Sequence, residues 1–259
     1  MPGAFKAWDD YFIPGTEVLR NRPGFSDAAM LARFEHDVTR LRIFELSAKP
    51  IPGDFDYAHM KAIHRHIFQD VYDWAGQERV GPGRMTKSGV NVVTGSGEAA
   101  YAYFPAEYIA ENAEDRYALL AEEHLLVGLP QAEFVDRLAD HWGEINVIHS
   151  FREGNTRAQF VFFKQLSENA GYLLDAAQFR IGSPLRDEFV AARFENQASG
   201  SHRRLAAVLA RAVRPREPKR NTSVGASTER QPRRGTLGLP GNAGEFAPKQ
   251  HSDPEVSLG

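Results

Sequence analysis

Residues 149–157 bring together the side chains best suited to chemistry: His-Ser-Phe-Arg-Glu-Gly-Asn-Thr-Arg. This polar, glycine-containing segment lies between two stretches with the apolar spacing of amphipathic helices. A loop that leads into a helix presents unpaired backbone N–H groups and the positive end of the helix dipole. The segment therefore predicts an anion site of the kind that binds phosphate groups.

The residue types of this segment fit the parts of a phosphate reaction. Gly154 lets the backbone approach a phosphate without an intervening Cβ. Asn155 can donate a hydrogen bond to a phosphoryl oxygen, and Arg157 can bind one through two N–H groups. Glu153 would repel phosphate unless a hard cation such as Mg²⁺ lay between them. His149 can accept a proton from an incoming hydroxyl group near neutral pH.

The same loop can also be interpreted as having only a structural role. His149 would cap the preceding helix, Glu153 would pair with Arg152 or Arg157, and the loop would simply connect two helices. Each residue taken alone fits this interpretation better. Their combination in one short segment favours the phosphate site.

Helices must hold the loop, and the apolar spacing predicts them on both sides. The following helix opens near Thr156 or Arg157 and ends at Gly171, where glycine suits a left-handed conformation. Earlier in the chain, Ser26 is a predicted N-cap and a second helix begins after Asp56. Two further amphipathic segments lie around Phe189 and Phe194 and over 205–213. The apolar stripe predicted for the helix before the loop is Phe134, Leu138, Trp142, Ile145 and Ile148. The stripe predicted for the first helix is Met30, Leu31, Phe34, Val38 and Leu41.

The helical period fails between Val80 and Pro105. A β-prone run at Val90–Val93 and a second run ending in Tyr103 and Phe104 flank a Gly-Ser-Gly turn, which predicts a β-hairpin. Helical spacing resumes at Ala106.

Composition limits the classes of protein that fit. The 259 residues include no cysteine, which excludes disulfide frameworks and thiol nucleophiles. The net charge of −3 is uneven, because residues 202–259 carry 11 basic and 5 acidic side chains. The acidic remainder makes nucleic-acid binding an unfavoured function. No apolar stretch approaches the length of a membrane span, so we expect no membrane partner and a cytoplasmic location. We expect residues 214–259 to be a basic, Pro/Gly-rich disordered tail.

The segment resembles the Fic family motif, whose usual form is His-Pro-Phe-x-(Asp/Glu)-Gly-Asn-Gly-Arg-x-x-Arg. Three upstream blocks are also similar to Fic segments and follow in the expected order: Pro14 to Asn21, Phe55 to His64 and Phe68 to Gly76. The resemblance covers roughly residues 10–210 and is typical of bacterial Fic toxins and secreted Fic effectors. It implies one mostly α domain over 1–213, a helical bundle with a β-hairpin flap at about 85–104 beside the active-site loop. The Pro/Gly-rich residues 1–25 also carry aromatic side chains and independently predict an irregular arm packed on that core.

The resemblance also implies an activity: transfer of AMP from Mg-ATP to a Ser, Thr or Tyr hydroxyl group of a target protein. In this interpretation His149 is the general base, Glu153 holds Mg²⁺, and Arg157 binds the β and γ phosphates. The remaining nucleotide contacts would come from the anion hole and from the flap entry: Gly154, Asn155, Thr156, Lys87 and Ser88. The flap would align the target by strand addition.

Partners follow from the family as expectations. The resemblance to bacterial Fic toxins suggests a DNA gyrase-like target protein. The resemblance to secreted Fic effectors suggests a host small GTPase as the target. The family's inhibitory signature, (Ser/Thr)-x-x-x-Glu-(Gly/Asn) on a helix, is not recognisable in the sequence. Either a small antitoxin supplies it in trans, or inhibition by a glutamate does not operate.

Three positions depart from the usual motif: Ser150 replaces proline, Thr156 replaces the second glycine and Phe160 replaces the second arginine. The lost arginine matters most, because in the family it helps to hold the terminal phosphates. Loss of one charge-assisted contact costs about 1.5–3 kcal/mol. The departures leave two alternatives open: transfer of a different group, such as UMP, GMP or phosphate, and a degenerate Fic fold that acts as a binding module.

Overall fold

Helices dominate a computed structural model that describes residues 5–81 and 85–217. The prediction of a mostly α bundle with one hairpin beside the motif is confirmed. The helices in the described part of the chain are α1 (Ala28–Ala48), α2 (Tyr57–Phe68), α3 (Ile109–Glu122), α4 (Gln131–Ile148), α5 (Asn155–Asn169), α6 (Pro184–Ser199) and α7 (Arg203–Leu209). The strands are β1 (Thr86–Val90), β2 (Glu98–Ala102), β3 (Tyr172–Leu174) and β4 (Val213–Pro215).

Helices α4 and α5 carry the two ends of the motif through the core. The whole predicted stripe of α4 is buried, and the Trp142 ring stacks on Phe163 of α5 with centroids 4.5 Å apart. Aromatic burial on this scale dominates the packing energy of a core. The loop between the two helices is therefore anchored at both ends by rigid elements.

The start of α2 agrees with the sequence prediction, whereas that of α1 does not. Asp56 caps α2 by accepting a hydrogen bond from the His59 backbone N–H at 2.7 Å. The N-cap of α1 is Asp27 rather than Ser26, because the Asp27 carboxylate accepts the Met30 N–H at 2.8 Å. An ionised acceptor satisfies a first-turn N–H group strongly.

The predicted apolar face of α1 is also wrong in part. Leu31 is buried, but Met30 and Leu41 are more than half exposed, at 54% and 56%. The inner face of α1 instead presents Glu35 and the buried Thr39, both of which contact Arg157. Polar residues occupy this face because it borders the motif rather than the apolar core.

The β-hairpin forms within the predicted segment, but its first strand ends earlier than predicted. Strands β1 and β2 pair antiparallel from Thr86 opposite Ala102 to Val90 opposite Glu98. The predicted run Val90–Val93 lies mostly in the turn, where the Asn91 carboxamide oxygen accepts the Val93 N–H at 3.0 Å. That local hydrogen bond competes successfully with strand propensity.

The hairpin lies against α6. A Cβ on Gly89 would be 2.8 Å from Cδ2 of Phe194, and closer still to other atoms of that ring, so only glycine fits there. The Tyr101 ring stacks on Phe194 with centroids 4.4 Å apart. The hairpin is thereby fixed to the bundle through α6.

The two ends of the described chain pack on the bundle. Tyr11, in the predicted irregular arm, is buried, and its hydroxyl oxygen accepts the Val80 N–H at 3.0 Å. The strand Val213–Pro215 pairs with Tyr172–Leu174, a sheet that the sequence did not predict and that crosses the predicted boundary after residue 213. The predicted segment 205–213 overlaps α7, which begins two residues earlier at Arg203, and its last residue is the first of β4. The tail predicted for 214–259 lies outside the described residues from 218 onward.

Among the residues described, no helix has the length and apolar character needed to cross a membrane.

Candidate active site

The loop between α4 and α5 begins at His149, whose backbone is left-handed with φ 51°. Histidine rarely adopts this conformation, so the surroundings must hold it. Arg79, buried, donates from Nε to the His149 carbonyl at 2.8 Å and from Nη2 to the Phe104 carbonyl. The Arg79 backbone N–H also binds the Ser150 carbonyl at 2.8 Å. One guanidinium therefore joins the loop to the end of the hairpin.

Burial lowers the pKa of Arg79 to about 10. The group still carries its charge near neutral pH, and carbonyl oxygens from three segments surround it. Hydrogen bonds from a charged donor are stronger than neutral ones.

The imidazole of His149 is oriented by two contacts. It stacks on Tyr103, just after β2, with ring centroids 3.8 Å apart. Its Nδ1 lies 3.3 Å from the carbonyl oxygen of Asn146, one turn earlier in α4. Since a carbonyl oxygen only accepts, Nδ1 carries the hydrogen, and in the neutral ring the lone pair is then on Nε2. The predicted general base has the tautomer that a base requires.

Gly154 is required by the geometry of the loop. Its φ of +81° is left-handed, and a Cβ there would be 3.0 Å from Cε1 of Phe68 and nearer to two other atoms of that ring. Helix α5 begins immediately afterwards at Asn155, one or two residues earlier than predicted. A glycine N-cap supplies no side chain to satisfy the first N–H groups of the helix, as an anion site requires.

His64 supports the loop from α2. Its Nδ1 accepts the Gly76 N–H at 2.8 Å, so its Nε2 carries the hydrogen and donates to the Glu153 carbonyl at 2.9 Å. Its ring is fully buried and stacks on Phe151 with centroids 3.8 Å apart. Burial lowers the pKa of His64 to about 3, which keeps the ring neutral.

The side chain of Asn155 braces the loop, a role that the sequence did not predict. Its Oδ1 accepts the Phe151 N–H at 2.9 Å, and its Nδ2 donates to the Phe151 carbonyl at 2.6 Å. The side chain is buried and braces the loop, and its bond to a phosphoryl oxygen stays a prediction. Its backbone N–H, the first of α5, is the part of Asn155 that suits the anion hole.

Thr156 lies in the first turn of α5 with helical backbone geometry, so a threonine in place of the usual glycine brings no φ strain. Lys87 and Ser88 occupy exposed positions of β1, opposite Tyr101 and Ala100. Their contact with nucleotide or target stays a prediction.

Arg157 faces α1. It forms an ion pair with Glu35, donates to the Thr39 hydroxyl at 3.0 Å and lies 3.6 Å from the Glu153 carboxylate. Burial works against its charge, but the carboxylates of Glu35 and Glu153 outweigh it, and the pKa of Arg157 is raised. Its guanidinium is thus bound by protein carboxylates, and its contact with the β and γ phosphates stays a prediction.

Glu153 is the carboxylate of the loop. Its Oε1 accepts the Gly154 N–H at 3.0 Å, and its side chain is 17% exposed. The described residues contain no cluster of three or more His, Cys, Asp or Glu side chains able to hold a metal by themselves. Mg²⁺ bound to a nucleotide typically takes one or two protein carboxylates together with phosphates and water. A single loop carboxylate beside an anion site fits that donor set.

Sequence reasoning missed four residues that shape the site: Glu35, Arg79, Tyr103 and Asn146. Each acts on the motif from another element or through its backbone, and none carries a periodic signal of its own. His64 had a partial signal, because it ends one of the family-like blocks.

Comparison with known proteins finds relatives that share one family. The Fic/DOC family model matches residues 54–167. The chain is 40% identical over 172 residues to "Probable protein adenylyltransferase y4lH" of Sinorhizobium fredii, covering 66% of this chain and 81% of the relative. It is 39% identical over 166 residues to "Probable protein adenylyltransferase Fic" of Salmonella typhimurium, covering 64% and 76%. The BepC protein of Bartonella tribocorum, solved with bound AMPPNP, has the same fold, with a TM-score of 0.70, 22% identity and coverage of 81% and 98%. The chain belongs to the Fic/DOC family.

Proposed function

We propose that this protein transfers the AMP group of ATP to a hydroxyl group of a target protein, with His149 as the general base. The activity follows from relatives about 40% identical that are named protein adenylyltransferases. The observation that carries the mechanism is the bond between Nδ1 of His149 and the Asn146 carbonyl, because it places the lone pair on Nε2.

The reaction is an exchange at the α phosphorus. Nε2 of His149 takes the proton of a Ser, Thr or Tyr hydroxyl as its oxygen attacks the α phosphorus. The bond from that phosphorus to the bridging oxygen breaks, and pyrophosphate leaves with the bonding electrons. The target gains AMP and the imidazole gains a proton, so atoms and charges balance. Positioning and charge neutralisation supply most of the rate in phosphoryl transfer.

The loop supplies the binding groups. Gly154 and the first N–H groups of α5, at Asn155 and Thr156, form an anion hole for phosphate oxygens. Glu153 would hold Mg²⁺, which neutralises phosphate charge when it is bound. Arg157, already held by Glu35, would contribute positive potential at the β and γ phosphates.

The target protein would dock on the hairpin. Within the described residues, β1 and β2 pair with each other and with no further strand, so the hairpin edges offer backbone N–H and C=O groups to an added strand. Lys87 and Ser88 on β1 would contact the nucleotide or the target. The target class remains as proposed from the sequence, a DNA gyrase-like enzyme or a host small GTPase. An antitoxin in trans, action in the cytoplasm and delivery as a secreted effector are proposals on the same footing.

A labelling experiment tests the function. The full chain is incubated with Mg²⁺, a lysate and either α- or γ-labelled ATP, and His149→Ala is compared with His202→Ala, which removes a partly buried histidine near Asp136. We expect a labelled protein from the α label alone, lost in His149→Ala and retained in His202→Ala. Mass spectrometry of the labelled band then identifies the target residue.

The alternatives predict other results. Transfer of phosphate labels the target from γ-labelled ATP, and transfer of UMP or GMP requires the α-labelled UTP or GTP. A binding module labels nothing and binds no Mg-nucleotide in calorimetry. Equal labelling by wild type and His149→Ala would refute the mechanism.

A further inference from the structure

Position 160, where the family motif has its second arginine, holds a phenylalanine. Phe160 is 6% exposed, and its ring lies 4.9 Å from that of Trp142, 5.2 Å from that of Phe179 and 5.3 Å from that of Phe189. Position 160 thus belongs to the apolar core between α4, α5 and α6. A second cation for the terminal phosphates, besides Arg157, would have to come from another element.

Arg193 lies on the facing helix α6, one helical turn along from the contact between Phe160 and Phe189. Positions 156 and 160 share a face of α5, and positions 189 and 193 share a face of α6, because residues four apart lie above one another. Phe160 packs on Phe189, and one turn along Arg193 packs beside Thr156. The guanidinium therefore lies next to the first turn of α5, at the predicted anion hole.

Arg193 is held in place by neutral groups. Its Nη1 donates to the Thr156 hydroxyl at 3.2 Å, and its Nη2 donates to the carboxamide oxygen of Asn146. Its central carbon lies 5.4 Å from the centre of the Phe189 ring. Asn146 also carries the carbonyl that binds His149, so Arg193 and the general base share one support.

This arginine has a charge but no counter-charge. Among the described residues no carboxylate lies within ion-pair distance of Arg193, and its buried Nε has no hydrogen-bond partner. Burial lowers the pKa of Arg193, and among the described residues only the phenol of Tyr103 acts in the opposite direction. Arg193 is partly buried, and removing a cation from water without a counter-ion costs free energy, so such groups are normally paired. Arg157, by contrast, is paired with Glu35.

We propose that Arg193 binds the terminal phosphates of the nucleotide and thereby replaces the arginine missing at position 160. This inference rests on the proposed function and deepens it. One N–H group on each Nη atom of the guanidinium binds Thr156 or Asn146, which leaves one N–H group on each Nη atom for an anion. Two of the three departures from the motif then have one explanation: Phe160 packs in the core, and the Thr156 hydroxyl orients the substitute arginine.

The inference predicts discrimination between nucleotides by their phosphate number. Binding is measured by calorimetry in the full chain carrying His149→Ala, so that no turnover occurs, with Mg-ATP and with AMP as separate probes. Adding Arg193→Gln should weaken Mg-ATP binding about 10- to 100-fold, the loss expected for one hydrogen bond from a charged group, and leave AMP binding within about twofold. Arg193→Lys, which keeps the charge, should retain more of the Mg-ATP affinity.

A control separates this role from a structural one. Arg186→Gln removes the same charge from α6 about two turns away and should leave both affinities unchanged. The inference is overturned if Arg193→Gln binds Mg-ATP as tightly as its parent, or if it loses Mg-ATP and AMP equally with a lowered melting temperature. A parent that binds neither nucleotide would refute the proposed function itself, and this inference with it.

Discussion

Replacement of Gly154 by alanine tests whether the motif loop needs glycine for its backbone or for the space beside it. The residue has a φ of +81°, and a Cβ would overlap the ring of Phe68. Gly171 is a matched control, because its φ is +89° and a Cβ there would meet nothing within 4 Å. Both substitutions carry the free-energy cost of a left-handed alanine. Only Gly154→Ala adds the overlap with the Phe68 ring.

The expected magnitudes follow from this difference. A left-handed alanine costs about 1–2 kcal/mol, and the reduced freedom of the unfolded chain offsets about 0.4–1 kcal/mol of it. Gly171→Ala should therefore lower the free energy of unfolding by about 1 kcal/mol. Overlap with a fully buried ring adds about 1–3 kcal/mol, because Phe68 is packed on all sides. Gly154→Ala should lower it by about 2–4 kcal/mol.

Urea denaturation of both variants measures these values, and a double-mutant cycle isolates the overlap. In a Phe68→Leu background, Gly154→Ala should cost little more than Gly171→Ala does in the wild type. Equal losses for the two glycine variants in the wild-type background would refute the steric argument. Retention of full labelling activity by Gly154→Ala would refute the claim that this backbone shapes the anion hole.

Two further predictions concern the groups that support the loop. Glu35→Gln removes the main counter-ion of the buried Arg157 and should lower the free energy of unfolding by about 3 kcal/mol in urea denaturation, whereas Glu188→Gln, which breaks the exposed pair with Arg211, should change it by less than about 1 kcal/mol; similar losses would contradict the pairing. His64 has a pKa of about 3 when folded against 6.5 in a model peptide, so its contribution to stability is complete above pH 6.5 and is lost as the pH falls towards 3. The slope of unfolding free energy against pH in that window should be shallower in His64→Gln, and an unchanged slope would show that this group is not responsible.

The elements that the sequence predicted well are those specified by neighbouring residues. The start of α2 follows from the side chain of Asp56, and the stripe of α4 follows from a continuous apolar core. The end of α5 near Gly171 follows from the freedom of glycine to adopt positive φ. Local chemistry decides each of these features, so a sequence pattern suffices.

The features that escaped prediction depend on contacts between distant segments. The inner face of α1 is polar because Glu35 meets Arg157, a residue more than a hundred positions away. The left-handed His149 depends on Arg79 and Tyr103, which approach it from the segment before the hairpin and from the hairpin's end. Spacing along the chain carries no information about such partners.

The two arginines beside the loop differ in how much they gain from a nucleotide. Arg157 is already neutralised by Glu35, so a phosphate must compete with a carboxylate for it. Arg193 is held by an amide and a hydroxyl, and its desolvation is a cost of the folded state whether or not a ligand is bound. Binding of a phosphate therefore adds attraction at Arg193 without a new desolvation penalty for the cation, and part of the cost of burying it is recovered. On this argument, the residue outside the motif contributes more to nucleotide affinity than the arginine that the motif retains.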